Sequence, residues 1–109
     1  MPRPWVLTRA AEASLVEIAL WTTRTFGPRQ ANLYEEDLIA ACRAVAAGTA
    51  LSYGCRDVID PGLPEVLRFT RAGQHLVVFV EEVDAVIIVD VLHSRSDLPR
   101  RLADRLPEG

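Results

Sequence analysis

Lysine is missing altogether: all twelve basic residues are arginine. Fifteen acidic residues outnumber them, leaving a net charge of −3. A protein that grips nucleic acid through its phosphates carries a basic surplus. This composition argues against direct nucleic-acid binding. Arginine does suit fixed, bidentate pairing with carboxylates better than lysine would.

Cysteine is almost as scarce. Cys42 and Cys55 stand alone, without CxxC or Cys/His spacing, which gives no metal signature and no disulfide framework. Both are expected as free structural thiols, Cys42 on the apolar face of a predicted helix. Long apolar runs are lacking too. The longest, AVIIV at 85–89, is far short of the ~20 residues that cross a bilayer. The opening MPRPWVLTRA has no apolar signal segment, so a cytoplasmic protein without a membrane partner is expected. HExxH, a glycine-rich phosphate loop and GxSxG are absent, and neither a cofactor nor a metal is expected.

What is present suffices for one globular domain over residues 1–109, half of them hydrophobic. WVLT at 5–8 suits a first strand, and Thr8 stands as an N-cap. Ala11, Leu15, Ile18, Thr22 and Phe26 then recur at helical spacing. Gly27 stops this helix and Pro28 opens the next. The second helix runs to about Ala47, with Ala31, Tyr34, Leu38, Ala41, Cys42 and Val45 on one face. Residues 49–64 read as a long loop.

Three strand signals follow: EVLRFTR, QHLVVFVEE and AVIIVDVLH, separated by Ala72-Gly73 and Val83-Asp84. A last helix begins after Ser96 or Asp97, with Leu98, Leu102 and Leu106 along it. The order β-α-α-β-β-β-α predicts an α+β fold in which a helical hairpin packs on a small antiparallel sheet with a short C-terminal helix.

Two-residue turns would set Arg71 opposite Gln74 and Glu82 opposite Ala85. Alternation then divides the sheet into two faces. Leu67, Phe69, Leu76, Val78, Val80, Ile87, Val89 and Val91 form an apolar face expected to meet the helices. Arg68, Thr70, His75, Val77, Phe79, Glu81, Val86, Ile88, Asp90 and Leu92 form a mixed face, with Arg68, Val77 and Asp90 in one row. Its Phe79, Ile88 and Leu92 are more apolar than water requires, which suits a partner groove.

The stretch VLHSRSDL at 91–98 carries His93, Ser94, Arg95 and Asp97. Ser94 and His93 are adjacent, so in a strand they point apart and make no nucleophile–base dyad. His75 and His93 are expected on opposite faces, which argues against a His pair. Asp97-Leu98-Pro99 reads as a helix start. No catalytic residue is assigned.

Over residues 6–103 the chain resembles the ParE toxins of the ParE/RelE superfamily. The resemblance rests on LTRAAEASLVEIALWTTRTFGPRQANLYEEDL, with Phe26-Gly27 and Gln30-Ala31 at its turn. It continues in LRFTRAGQHLVVF, where Arg68, Gly73 and His75 match an R…GxH pattern, and in VLHSRSDLPRRL, matching VLHxxMD. Ser96 replaces the usual methionine, and Phe79 a frequent tyrosine.

The resemblance implies a type II toxin that inhibits DNA gyrase by binding and is neutralised by a ParD-like antitoxin wrapping it. For the antitoxin the expected contacts are Arg68, His75, Val77, Phe79, Glu81 and Asp90, with Trp21 and Leu33 beside the hairpin. For toxicity they are Arg95, Arg100, Arg101 and Arg105. The alternatives are a RelE-like ribosome-dependent mRNA endonuclease using Arg68, Arg71 and His93, or an inactive homologue that only binds antitoxin.

Overall fold

The computed structural model describes residues 2–103. Strand β1 (Trp5–Leu7) leads through Thr8 into helix α1 (Arg9–Phe26). The Thr8 hydroxyl accepts from the Ala11 amide at 3.1 Å and donates to the Val89 carbonyl at 2.6 Å. One side chain therefore caps the helix and ties it to the sheet. Gly27, at φ +94°, ends α1, and Pro28 takes the first position of α2 (Pro28–Ala47). Gly48 closes α2 in the left-handed conformation.

The expected loop at 49–64 instead contains strand β2 (Tyr53–Gly54) and a single helical turn, α3 (Cys55–Val58). Strands β3 (Leu67–Ala72), β4 (His75–Glu81) and β5 (Val86–His93) form the predicted meander, and α4 (Leu98–Ala103) follows. The sheet order is β1-β5-β4-β3-β2. β2 to β5 pair antiparallel, while β1 adds a parallel edge to β5.

Glu82 donates its amide to the Ala85 carbonyl, as the turn reading required. The first hairpin is displaced: Arg71 pairs with Leu76, and the loop residues are Gly73-Gln74. Gly73 has φ +58° and no other residue there is positive, which is the II′ pattern that demands glycine first. This shift preserves the two faces of β3 and β4. The next irregularity does not. A bulge opposite Val78 and Phe79 inserts an extra residue at Val89, so Val78 pairs with Asp90, Val77 with Val91 and His75 with His93.

The expected covering of the sheet is also corrected. The hairpin packs on the supposedly mixed face, where Val77, Phe79, Val86, Ile88 and Val91 meet Ala11, Leu38, Cys42 and Val45. The more apolar face is covered as well: Leu67, Phe69, Leu76, Val78, Val89 and Leu92 lie under Cys55, Ile59, Leu63, Leu98 and Leu102. The sheet is thus sandwiched, and its central strands are apolar on both faces for that reason. Both cysteines are free and buried, one in each core, and burial pushes both thiols up to about 11. Among the described residues, no helix is long and apolar enough to cross a membrane.

Candidate functional site

A cavity of about 450 Å³ lies where the helical hairpin meets the paired ends of β4 and β5 at His75 and His93, away from the turn that connects those strands. One wall is α1, which presents Ser14, Glu17, Ile18 and Trp21, and Phe26 closes the end beside Gln30 and Tyr34 of α2. Those α1 positions follow i, i+3, i+4, i+7, a single helical stripe. Val91, His75 and His93 form the sheet side, and Arg101 reaches the rim from α4. Trp21 and Phe26 are 60% and 63% exposed, yet their rings contact each other edge to face at 5.8 Å. An uncovered aromatic pair on a helical hairpin is a candidate anchor site.

The polar side of this groove is a network. Tyr34 Oη lies 2.6 Å from His75 Nδ1, 3.1 Å from the Gln74 amide and 3.2 Å from the Ala72 carbonyl. Gly73 lets the ring come this close, since a Cβ there would stand 2.7 Å from the Tyr34 ring. The His75 and His93 rings meet at 5.2 Å, nearly perpendicular. Burial, with His93 nearby, pushes His75 down to about 4, so its imidazole is neutral near pH 7. Burial likewise raises the Tyr34 hydroxyl. His93 Nδ1 accepts from the Arg95 amide at 3.1 Å.

The bulge therefore overturns the expectation that the two histidines lie apart. The rest of VLHSRSDL is a tight turn. Ser94 donates its amide to the Gln74 carbonyl, and Ser96 donates both amide and hydroxyl to the His93 carbonyl. Arg101 donates its amide to the Asp97 carbonyl, so Asp97 sits at the start of α4.

The residues expected to meet an antitoxin divide into three groups. Val77 and Phe79 are sealed beneath the hairpin, because the face carrying them is the one it covers, and Asp90 is buried at the bulge, where α1 reaches it through Ser14. Asp90 Oδ1 accepts from the Ser14 hydroxyl at 2.5 Å and from the Val91 amide at 2.8 Å, rather than reaching towards Arg68. Arg68 and Glu81 lie elsewhere. Arg68 Nη2 donates to the Ser52 carbonyl and hydroxyl at 3.1 and 3.0 Å, pinning the strand entry of β2. Glu81 is at the far end of β4, roughly 20 Å from His75, and pairs with Arg3 at 3.8 Å. His75 and Trp21 share the groove, while Leu33 is exposed on α2 without lining it.

Of the residues expected in toxicity, Arg95, Arg100 and Arg101 are exposed and Arg101 lines the groove. Arg105 lies outside the described residues. Arg68, Arg71 and His93 are not brought together. Arg71 pairs with Leu76 on the other face, and Arg68 is four β3 residues, about 13 Å, from the Ala72–His75 pair. Among the described residues, no group of three or more His, Cys, Asp or Glu is placed to hold a metal ion. Sequence reasoning missed Tyr34 and Gln30 as groove residues. Their i, i+4 spacing on α2, which sets both on one helical stripe, was the available signal.

Residues 6–98 match the family described as the ParE toxin of the type II toxin–antitoxin system parDE. Toxin ParE of Escherichia coli is 34% identical over 103 residues, covering 94% of this chain and 95% of that protein. Toxin ParE1 of Mycobacterium tuberculosis is 34% identical over 103 residues, covering 94% of this chain and all of that one. Among solved structures, a chain of the chromosomal ParDE system from P. aeruginosa superposes with a TM-score of 0.67. It has 16% identity and covers 84% of this chain and 95% of that one. The hairpin, the meander and the His-bearing strand ends all fall inside these matches, and the chain belongs to the ParE toxin family of type II toxin–antitoxin systems.

Proposed function

We propose that this toxin acts by binding rather than by chemistry, inhibits DNA gyrase, and is neutralised by a ParD-like antitoxin. Its membership of the ParE family, matched across residues 6–98, carries the reading. The groove supports it. An imidazole pushed down to about 4 is a poor proton acceptor at neutral pH, where an efficient general base has a value near the working pH. The cavity walls around it are dominated by Trp21, Phe26, Ile18 and Val91, which suit apolar contact.

Induced expression in a sensitive bacterium tests the reading. Growth arrest relieved by co-expression of a cognate ParD-like antitoxin is expected. Unaffected growth, with the antitoxin still bound, would mark an inactive homologue and contradict the toxin role.

A further inference from the structure

The extra residue in β5 is held by polar side chains of α1 and its cap. In a regular strand successive carbonyls point to opposite edges. Here the Ile88 and Val89 carbonyls both turn to Thr8, the first accepting from its amide at 3.1 Å and the second from its hydroxyl at 2.6 Å. One residue on, Asp90 Oδ1 accepts from the Ser14 hydroxyl at 2.5 Å and from the Val91 amide at 2.8 Å. Asp90 is wholly buried, and it does not line the groove.

The apolar residues around it do not dictate the bulge. Continued from Val80–Ile87 and Phe79–Ile88 without an extra residue, the ladder would pair Val78 with Val89, Val77 with Asp90, Leu76 with Val91 and His75 with Leu92. Alternation would then exchange Val91 and Leu92 between the two cores. Each would leave one apolar core for another, and the two side chains differ by a single methylene. Strand β1 would keep its partners, because its pairing with β5 ends at Ile88.

Asp90 is the misfit. In the continuous register it would take the place that Val91 now fills against Val77 in the hairpin core. A carboxylate is far costlier there than a valine, whereas at the bulge a hydroxyl and an amide meet it.

We propose that Asp90 selects the register of β5, and that the sequence holds a second, continuous register in which Leu92 replaces His93 beside His75. Asp90 is thus a positioning residue for the groove. From outside the cavity it decides whether an imidazole or a leucine side chain stands next to His75. The selection is a property of the free chain and holds whatever the groove binds.

Cross-strand nuclear Overhauser contacts in the full chain read the register. The wild type should show His75 facing His93 and Val78 facing residue 90. Asp90→Asn, whose amide oxygen can still accept from Ser14 and Val91, should show the same pairs. Asp90→Val should shift by one residue, with His75 facing Leu92 and Val78 facing Val89, while the β1–β5 contacts persist. Asp90→Ala, smaller than the native side chain, repeats the test in case valine crowds Val77. A one-residue shift in either apolar variant supports the inference, because a merely stabilising Asp90 would lower the melting temperature without changing strand partners. His75 still facing His93 in both apolar variants overturns it. Failure of both to fold overturns it too, since the second register would then be no stable alternative. So does a shifted Asp90→Asn, because polarity at this position would not be what decides the pairing.

Discussion

His75 and His93 stand opposite each other across the β4–β5 ladder, their ring centroids 5.2 Å apart and their planes at 81°. The extra residue at Val89 puts them there; the register set by Val80 and Ile87, continued without it, would place Leu92 opposite His75. The pair closes one side of the groove, and only one of its members is strongly desolvated. That asymmetry makes His75 a measurable reporter of the site.

Stability should fall in mild acid. A folded-state value of about 4, below the ordinary 6.5, means that the unfolded chain takes up the proton first. Stability therefore declines as pH drops from about 6.5 to about 4, then levels off for this group. Tyr34, His93, Glu17 and Arg101 face the same groove and shape the response. Because solvent reaches the ring, a loss of about 1–2 kcal/mol is expected rather than the full desolvation value. Urea midpoints at pH 7 and pH 4.5 should differ less in His75→Asn than in the wild type. Equal differences would contradict this account of the imidazole.

Two glycines make a paired test of backbone against contact. Gly48 and Gly73 both have positive φ, but a Cβ on Gly48 meets nothing within 4 Å, whereas one on Gly73 meets the Tyr34 ring at 2.7 Å. Gly48→Ala should cost about 1 kcal/mol from conformation alone. Gly73→Ala should cost about 2–3 kcal/mol by adding a displaced Tyr34. Thermal melts of the two variants would contradict this if they lost the same stability.

Ser14 and Asp90 join α1 to the bulged strand at 2.5 Å. Asp90→Ala leaves the Ser14 hydroxyl and the Val91 amide without this acceptor, and a loss of about 2–3 kcal/mol is expected. Ser14→Ala should cost less, about 1 kcal/mol, because Asp90 keeps its bond from Val91. Denaturant unfolding of both variants gives the comparison, and an Asp90→Ala protein as stable as wild type would refute the link.

Arg68 holds the chain entering β2 through Ser52. Arg68→Ala should loosen that strap by about 1–2 kcal/mol while the hairpin stays intact. Amide exchange at Tyr53 and Gly54 should accelerate, with exchange in α1 and α2 unchanged. Acceleration throughout the molecule would place Arg68 in the global core instead.

The hairpin was legible because its signals are local: the Thr8 cap, the Gly27-Pro28 junction and the apolar stripe of α2 each act over a few residues. The meander was legible from strand-forming runs broken by short turns. The covering of the sheet was not. In VIIVDVLH both faces are apolar, so alternation carries no sign of the bulge that changes facing at Val89. Nor does 49–64 announce that Cys55 and Leu63 will cover a second face, since their partners are remote in sequence. The site followed the same division. Trp21 and His75 were identifiable as residues, but their meeting in one groove depends on how the hairpin seats on the sheet.

Purified gyrase is the most direct test of the central claim. Supercoiling should be measured with the isolated toxin present, beside a ribosome-dependent mRNA cleavage assay. The account predicts inhibited supercoiling or trapped cleavage complexes, relieved by antitoxin, with mRNA intact. Cut mRNA with unaffected gyrase would contradict it and return His93 and Arg68 to consideration as catalytic groups.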